Sequence, residues 1–242
     1  MALFSISDLH LSLSTPKPMD VFGQRWQGYT EKLEKNWRAV VSENDTVVIP
    51  GDVSWAMHLS EALADLKMID SLPGRKLLGK GNHDYWWTTL SKMRGFLKEN
   101  GITSIDFLHN NAYIRDSHIV CGTRGWFIEE RLQSDKTVDY SLISARECGR
   151  LKMSLDEALK LRDTDEGHGL PIVVYLHFPP VFGDFISEDM LELMASYGVS
   201  ACFYGHIHGN YSVPRSIVSH GIPVSIISAD YLNFIPMLTK IS

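Results

Sequence analysis

The chain contains no apolar run long enough to cross a bilayer. Its longest apolar runs, such as Ile172 to Leu176, are far shorter than the roughly 20 residues that a membrane-spanning helix needs. It also lacks clusters of lysine and arginine, and its formal net charge is −6. Because sequence-independent binding of nucleic acids depends on such clusters, we expect no stable nucleic-acid partner. Because the apolar runs are short, we also expect no membrane partner.

Cysteine is scarce, and its three positions are not closely paired: Cys121, Cys148 and Cys202. Such a pattern is typical of reduced thiols in a cytoplasmic protein. Met1 to Ser7 leads directly into a polar motif, which leaves no room for a cleavable signal peptide. No Pro-, Ser- or charge-rich linker, repeat or low-complexity tract interrupts the chain, so residues 1–242 are expected to form one domain.

Short buried segments alternate with helical ones along the chain. Strands are predicted at Ala2–Ile6, Thr46–Pro50, Lys76–Leu78, Ala112–Arg115, Ile119–Cys121, Ile172–Leu176, Ala201–Tyr204, Val224–Ile227 and Pro236–Thr239. Helices are predicted at about Tyr29–Val41, Leu59–Ser71, Val138–Leu161 and Ser187–Tyr197. The alternation indicates an α/β fold with two sheets packed together and helices outside.

Carboxylates, an amide and imidazoles follow the ends of five predicted strands. They are Asp8 and His10, then Asp52, Asn82, His177, and finally His206 and His208. Active sites of open α/β sheets gather at this end of the strands. Asp8 and His10 are two residues apart, and in an extended segment such side chains point the same way and can hold one ion.

A glycine precedes Asp52, Asn82 and His206, where it permits a tight turn and close backbone approach. Each group taken singly is more simply explained by a structural role, because a lone Asp-x-His is more often a turn and a lone strand-end histidine is usually a structural group. Their common position favours a metal site. Mixed nitrogen and oxygen ligands suit Zn, Mn or Fe better than Mg alone.

The order Asp-x-His, Gly-Asp, Gly-Asn-His-Asp, His and Gly-His-x-His, from Asp8 to His208, resembles the calcineurin-like metallophosphoesterase superfamily. The resemblance implies a four-layer α/β/β/α sandwich of two mixed sheets flanked by helices, with two metal ions. It also implies ligand roles. Asp8, His10 and His208 would hold the first ion and Asn82, His177 and His206 the second, while Asp52 would bridge them. His83 would be catalytic outside the ligand shell, oriented by Asp84.

This ligand set would suit phosphate ester hydrolysis. Two divalent ions outweigh the charges of Asp8 and Asp52, so the site would attract a phosphate dianion. A coordinated water, with its pKa lowered from 15.7 to about 7, would supply hydroxide for in-line attack on phosphorus. His83 would stabilise the transition state or protonate the leaving group. The expected substrate is a small phosphomonoester or phosphodiester.

Two features leave the substrate open. Arg124 follows the strand Ile119–Cys121 and can grip phosphate bidentately if that strand runs parallel to the metal-bearing ones; otherwise it forms a surface salt bridge. Trp26, Trp55, Trp86, Trp87 and Trp126 can stack on a substrate ring or pack the loops together. A nucleotide-sugar or lipid pyrophosphatase is the alternative enzyme, and a scaffold with a dead site is the non-enzymatic one.

Overall fold

The structure is a computed structural model that describes residues 1–127 and 140–240. Its strands are β1 (Leu3–Ser5), β2 (Thr46–Ile49), β3 (Arg75–Leu78), β4 (Ile105–Phe107), β5 (Ala112–Arg115), β6 (His118–Thr123), β7 (Ile172–Leu176), β8 (Val181–Phe182), β9 (Phe185–Ile186), β10 (Val199–Tyr204), β11 (Ser216–Ser219), β12 (Ile222–Ile226) and β13 (Met237–Leu238). The α-helices in the described ranges are α1 (Tyr29–Val40), α2 (Leu63–Ser71), α3 (Leu90–Glu99), α4 (Tyr140–Arg162) and α5 (Glu188–Ser196).

Two mixed sheets contain most of the strands. The first has the order β13-β1-β2-β3-β4, with β1 to β4 parallel and β13 antiparallel at its edge. The second has the order β11-β12-β10-β7-β6-β5, with its four inner strands parallel and both edge strands antiparallel. The carboxyl ends of parallel strands share one edge of their sheet, which is where binding sites form.

Alternating side chains place the two sheets face to face between helical layers. Val47 and Ile49 of β2 pack with α1, α2 and α3, while Val48 packs against the second sheet. Val173 of β7 faces the first sheet, and Val174 packs with α4 and α5. Strands buried on both faces read as continuous apolar runs, which is why these segments could be predicted. The four-layer α/β/β/α sandwich is confirmed.

Backbone pairing joins the two sheets at the carboxyl ends of their strands. The Ser7 N–H donates to the Ile227 carbonyl at 2.8 Å, and the Ser7 carbonyl accepts from the Ala229 N–H at 2.8 Å. The chain therefore leaves β1 at the junction of the sheets. Asp8 and His10 follow directly and lie between the two sets of strand ends.

Several element boundaries differ from the sequence prediction. Strands β5 and β6 form a hairpin, in which Asp116 and Ser117 adopt the positive φ values of a type I′ turn, 47° and 64°. Helix α3 and strands β4 and β11 were not predicted, and α2 begins at Leu63 because the residues before it form turns. Val138, the predicted start of the long helix, lies outside the described residues. Within them, no helix is long and apolar enough to span a membrane.

Candidate metal centre

The seven predicted metal ligands converge where the parallel strands end. They are Asp8 and His10 after β1, Asp52 after β2, Asn82 after β3, His177 after β7, and His206 and His208 after β10. The side chains form two neighbouring clusters. Asp8, His10 and His208 form the first, and their ligand atoms lie within 4.8 Å of one another.

In the first cluster, two imidazole nitrogens face each other. The Nε2 atoms of His10 and His208 are 3.2 Å apart, and His208 Nε2 is 3.3 Å from Asp8 Oδ1. In the second cluster, Asn82 Oδ1 lies 2.7 Å from His177 Nε2 and 3.1 Å from His206 Nδ1. Each cluster therefore directs oxygen and nitrogen atoms at a common point, as ligands around an ion do.

Asp52 lies between the two clusters. Its Oδ2 atom is 3.6 Å from His10 Nε2 and also 3.6 Å from His177 Nε2. Asp8 approaches the second cluster as well, because Asp8, Asp52 and His177 have ligand atoms within 4.8 Å of one another. However, Asp8 Oδ1 is 3.9 Å from His177 Nδ1, whereas the nitrogen that faces Asn82 is Nε2. Asp52 thus fits the bridging position better than Asp8.

Four candidate ligands have a left-handed backbone. The φ angles are 61° at Asp8, 47° at His10, 50° at Asp52 and 68° at His206. The expectation that Asp8 and His10 lie in an extended segment is therefore wrong. Non-glycine residues rarely adopt this conformation, and strain of this kind costs roughly 1–3 kcal/mol per residue and clusters at functional sites. The left-handed conformation directs the side chains of these four residues toward the clusters at the junction of the sheets.

Burial keeps the inner imidazoles neutral. It lowers the pKa of His177 to about 3 and that of His206 to about 4, so each has an unprotonated nitrogen at pH 7. Burial also raises the pKa of Asp52, and the charges of Asp8 and Asp84 raise it further. Burial makes the ionised form of a carboxylate unfavourable, and a bound cation offsets this penalty. The donor set of neutral imidazole, carboxylate and amide therefore fits Zn, Mn or Fe.

Comparison with known families agrees with this geometry. The family model described as calcineurin-like phosphoesterase matches residues 1–210, which is most of the chain. The chain belongs to this family. It is therefore a metal-dependent phosphoesterase, an enzyme that hydrolyses the phosphoric ester bond of a small phosphorylated substrate. No curated protein sequence matches the chain.

Solved structures similar to this phosphoesterase support the fold. A protein of unknown function from Aquifex aeolicus is 16% identical, with a TM-score of 0.50, and the match covers 98% of this chain and 95% of that one. A phosphopantetheinyl hydrolase from Mycobacterium tuberculosis is 14% identical, with a TM-score of 0.52, and the match covers 96% and 90%. Similarity at this level of identity bears on the fold alone.

Asp84 has a different role in the phosphoesterase from the one that the resemblance implies. Its carboxylate accepts hydrogen bonds from four backbone N–H groups and one indole, at 2.8–3.2 Å: those of Asp52, Val53, Ser54 and Gly81, and Trp86 Nε1. Within the described residues, it shares no hydrogen bond with His83. The expectation that Asp84 orients His83 is therefore wrong. Asp84 instead ties together the loops that carry Asp52 and Asn82.

His83 is positioned by its backbone and by a tryptophan. Its N–H donates to Asp52 Oδ1 at 2.8 Å, and its ring packs 4.3 Å from the Trp55 ring. Its Nδ1 atom is buried and has no hydrogen-bond partner in the part of the chain that the structure describes. Trp55 also stacks on His10 at 5.0 Å. The imidazole of His83 thus stands beside the first cluster, outside the ligand set.

The tryptophans near the site differ in burial, which distinguishes those that pack the loops from those that a substrate ring can reach. Trp26 and Trp86 are buried, and Trp26 packs against His10 and His208, with ring centres 5.9 Å and 5.6 Å apart. These two residues pack the loops of the site. Trp55, Trp87 and Trp126 are partly exposed. These three therefore have exposed surface on which a substrate ring can stack.

Sequence reasoning missed Asp230, which lies beyond β12. Its Oδ1 accepts from His208 Nδ1 at 2.8 Å, while its Oδ2 accepts from the Gly209 N–H at 3.0 Å and from the Tyr211 hydroxyl at 2.9 Å. Asp230 is completely buried. A carboxylate that holds the second nitrogen of a ligand imidazole fixes its tautomer and its orientation. The signal was present, because an acidic residue follows a predicted strand at the edge where the ligands lie.

We expect Asp230→Asn to weaken metal binding by roughly 10–100-fold, since an amide cannot accept all three hydrogen bonds. Chelator competition with Mn or Zn measures the affinity. Asp156→Asn is the matched control, because Asp156 is an exposed carboxylate that pairs with Lys152. Equal metal affinity in the two variants would remove Asp230 from this role.

A close backbone approach at Gly81 was predicted and is found. A methyl group at this position would overlap the backbone nitrogen and Oδ1 of Asp52. We expect Gly81→Ala to displace Asp52 and to lower the metal content, with a stability loss of roughly 1–3 kcal/mol. Gly95→Ala in α3, where a methyl group meets nothing within 4 Å, is the control. Metal analysis and thermal unfolding of both variants test this, and a normal metal content in Gly81→Ala would contradict it.

Arg124 emerges at the same edge as the ligands, because β6 runs parallel to β7. Its Nη2 atom also forms an ion pair with Glu147 Oε1 of α4 at 3.4 Å. The condition for phosphate binding, a strand that runs parallel to the metal-bearing ones, is met, and substrate binding by Arg124 stays a prediction.

Proposed function

We propose that this phosphoesterase binds two metal ions and hydrolyses a phosphomonoester or a small phosphodiester. The observation that carries the proposal is the position of Asp52 Oδ2, which is 3.6 Å from an inward-facing imidazole nitrogen of each cluster. A carboxylate shared in this way suits two ions and not one. Mn, Fe or Zn would fit the donor set.

The proposed division of ligands follows the two clusters. Asp8, His10 and His208 would hold one ion, while Asn82, His177 and His206 would hold the other. Bound ions of this kind lower the pKa of a coordinating water from 15.7 to about 7 and offset phosphate charge. Asp230 would hold the His208 ring in place through Nδ1, and Asp84 would keep the loops of Asp52 and Asn82 together.

His83 would act on the leaving group. Its ring stands beside the first cluster, and its buried Nδ1 atom has no partner in the structure. Burial lowers the pKa of His83 in the metal-free chain. A phosphate at the centre would introduce negative charge nearby and favour the protonated imidazole, which could then donate to the departing oxygen.

Metal analysis combined with a hydrolysis assay tests the proposal. We expect two ions per chain in protein reconstituted with Mn, Fe or Zn, and turnover of p-nitrophenyl phosphate or bis(p-nitrophenyl) phosphate. Full activity with a single ion per chain would contradict the dinuclear assignment. Two bound ions without turnover of any phosphate ester would instead favour the scaffold alternative.

The thiols support a proposal for the compartment. Cys121, Cys148 and Cys202 are free, and Cys121 and Cys202 are buried. Burial raises the pKa of the Cys121 thiol to about 12, which makes it unreactive. We therefore propose a reducing, cytoplasmic location. Thiol titration of freshly isolated protein tests it, and a disulfide between chains would contradict it.

A further inference from the structure

Four charged residues that are not among the ligands lie on the elements around the second cluster. Lys80 comes two residues before Asn82, and Arg124 follows β6 directly. Glu147 and Arg150 lie on α4, the helix that packs on the outer face of this sheet. We call these four residues the basic cluster, because three of them are cationic and only one is acidic.

Arg124 is fixed next to a candidate ligand by its backbone. Its carbonyl oxygen accepts hydrogen bonds from the N–H groups of His177 at 3.0 Å and of Phe178 at 2.9 Å. Its guanidinium carbon lies 5.8 Å from the centre of the Phe178 ring, which is 4.5 Å from the His206 ring. One phenyl ring therefore separates the guanidinium from an imidazole of the second cluster.

Glu147 holds two guanidinium groups together. Its side chain is only 1% exposed, and its Oε1 accepts from Arg124 Nη2 at 3.4 Å and from Arg150 Nη1. The exposed fractions of the Arg124 and Arg150 side chains are 25% and 46%, so solvent reaches both. One buried carboxylate thus positions two cations that face outward.

The basic cluster has more positive charge than its carboxylate balances. Lys80 lies between the end of β3 and Asn82, so its backbone is at the edge where the ligands lie. Arg124 Nε is buried and has no hydrogen-bond partner among residues 1–127 and 140–240. An excess of cations beside a phosphate-binding centre, in a chain with net charge −6, favours an anionic ligand over a purely structural ion pair.

We propose that Arg124, Arg150 and Lys80 bind a second phosphoryl group of the substrate. The preferred substrate is then a small molecule with two phosphoryl groups, one at the metal centre and one on the basic cluster. This assignment rests on the proposed function, because the centre must hold the phosphoryl group that is cleaved. Arginine and lysine are the side chains that proteins use to bind phosphate oxygens.

Substrates that differ by one phosphate test this subsite on the metal-loaded enzyme. The pairs are fructose 1,6-bisphosphate with fructose 6-phosphate, adenosine 3′,5′-bisphosphate with AMP, and ADP with AMP. We expect at least one pair to show a kcat/KM that is about tenfold or more higher for the doubly phosphorylated member. That ratio should fall by about tenfold in Arg150→Gln and in Lys80→Gln, as the loss of a charge-assisted contact predicts.

Lys160→Gln is the matched control. Lys160 pairs with Glu157 at the same i,i+3 spacing on the same helix, but toward the end that is remote from the strand ends. Its ratio should equal that of the original chain. If the enzyme hydrolyses p-nitrophenyl phosphate but shows no preference in any pair, the subsite proposal is overturned and the proposed function stands. A preference that Arg150→Gln and Lys80→Gln both retain would also overturn the subsite proposal. Absence of all hydrolysis would instead count against the proposed function.

Discussion

Replacing Asp52 with asparagine is expected to remove metal and activity together. Asp52 Oδ2 faces both clusters at 3.6 Å, while Oδ1 accepts from the His83 N–H at 2.8 Å. The amide would keep the size of the side chain but lose the charge that two cations share. We expect metal affinity to fall by more than the roughly 10–100-fold that follows loss of an outer partner. Turnover should fall with the metal content.

Metal analysis after gel filtration and an aryl phosphate assay measure both effects. Asp45→Asn is the matched control, because Asp45 is also a buried carboxylate and accepts from the N–H groups of Ala2 and Ser42 at 2.8 Å, where β1 and β2 begin, at the edge opposite the ligands. It should lose stability while keeping its metal. Two tightly held ions with normal turnover in Asp52→Asn would disprove the bridging role.

The positions of the ligands could be predicted because strand ends are visible in sequence. Val47 to Ile49 and Val173 to Leu176 are apolar runs buried on both faces. Asp52 comes three residues after the first run, and His177 directly follows the second. In parallel sheets these residues meet at one edge. The fold and the convergence of the seven side chains followed from that argument and the family resemblance. The extent of the domain, residues 1–242, stays a prediction.

The local geometry of the site could not be predicted in the same way. Asp8 and His10 have left-handed backbones, which no side-chain periodicity reveals. This conformation is stabilised by tertiary contacts, such as the hydrogen bond from the Asp8 N–H to the Gly51 carbonyl at 3.0 Å. Three partners of Asp84, the N–H groups of Asp52, Val53 and Ser54, were missed for a similar reason, since they belong to a loop that is distant in sequence.

Glu147 shows the limit of periodicity on a helix. It lies four residues before Leu151 and eight before Leu155, and all three are on the buried face of α4. Periodicity reports which face is buried, but it does not report what a buried carboxylate contacts. The contact with Arg124 and Arg150 depends on where β6 ends relative to the helix. That relation belongs to the packing of the sheet, and it is what places the basic cluster beside the metal centre.

Replacing His83 with asparagine should separate esters by their leaving groups. The His83 ring lies 5.6 Å from the His10 ring and 4.3 Å from Trp55, so it borders the centre without belonging to either cluster. A proton donor matters most when the departing oxygen is strongly basic. We therefore expect turnover of an alkyl phosphate to fall by roughly 10²–10⁴-fold, and turnover of p-nitrophenyl phosphate to fall much less.

The same variant should keep a nearly normal metal content, because the hydrogen bond to the candidate ligand Asp52 comes from the backbone N–H of residue 83, which asparagine retains. His118→Asn, at the far end of the β5–β6 hairpin, is the control for loss of a histidine. Measuring kcat for both ester types in both variants gives the result directly. An equal loss on the two ester types would favour stabilisation of the transition state over proton donation. Loss of metal would instead show that His83 supports the ligand set, because the Asp52 carboxylate depends on the His83 loop for its position.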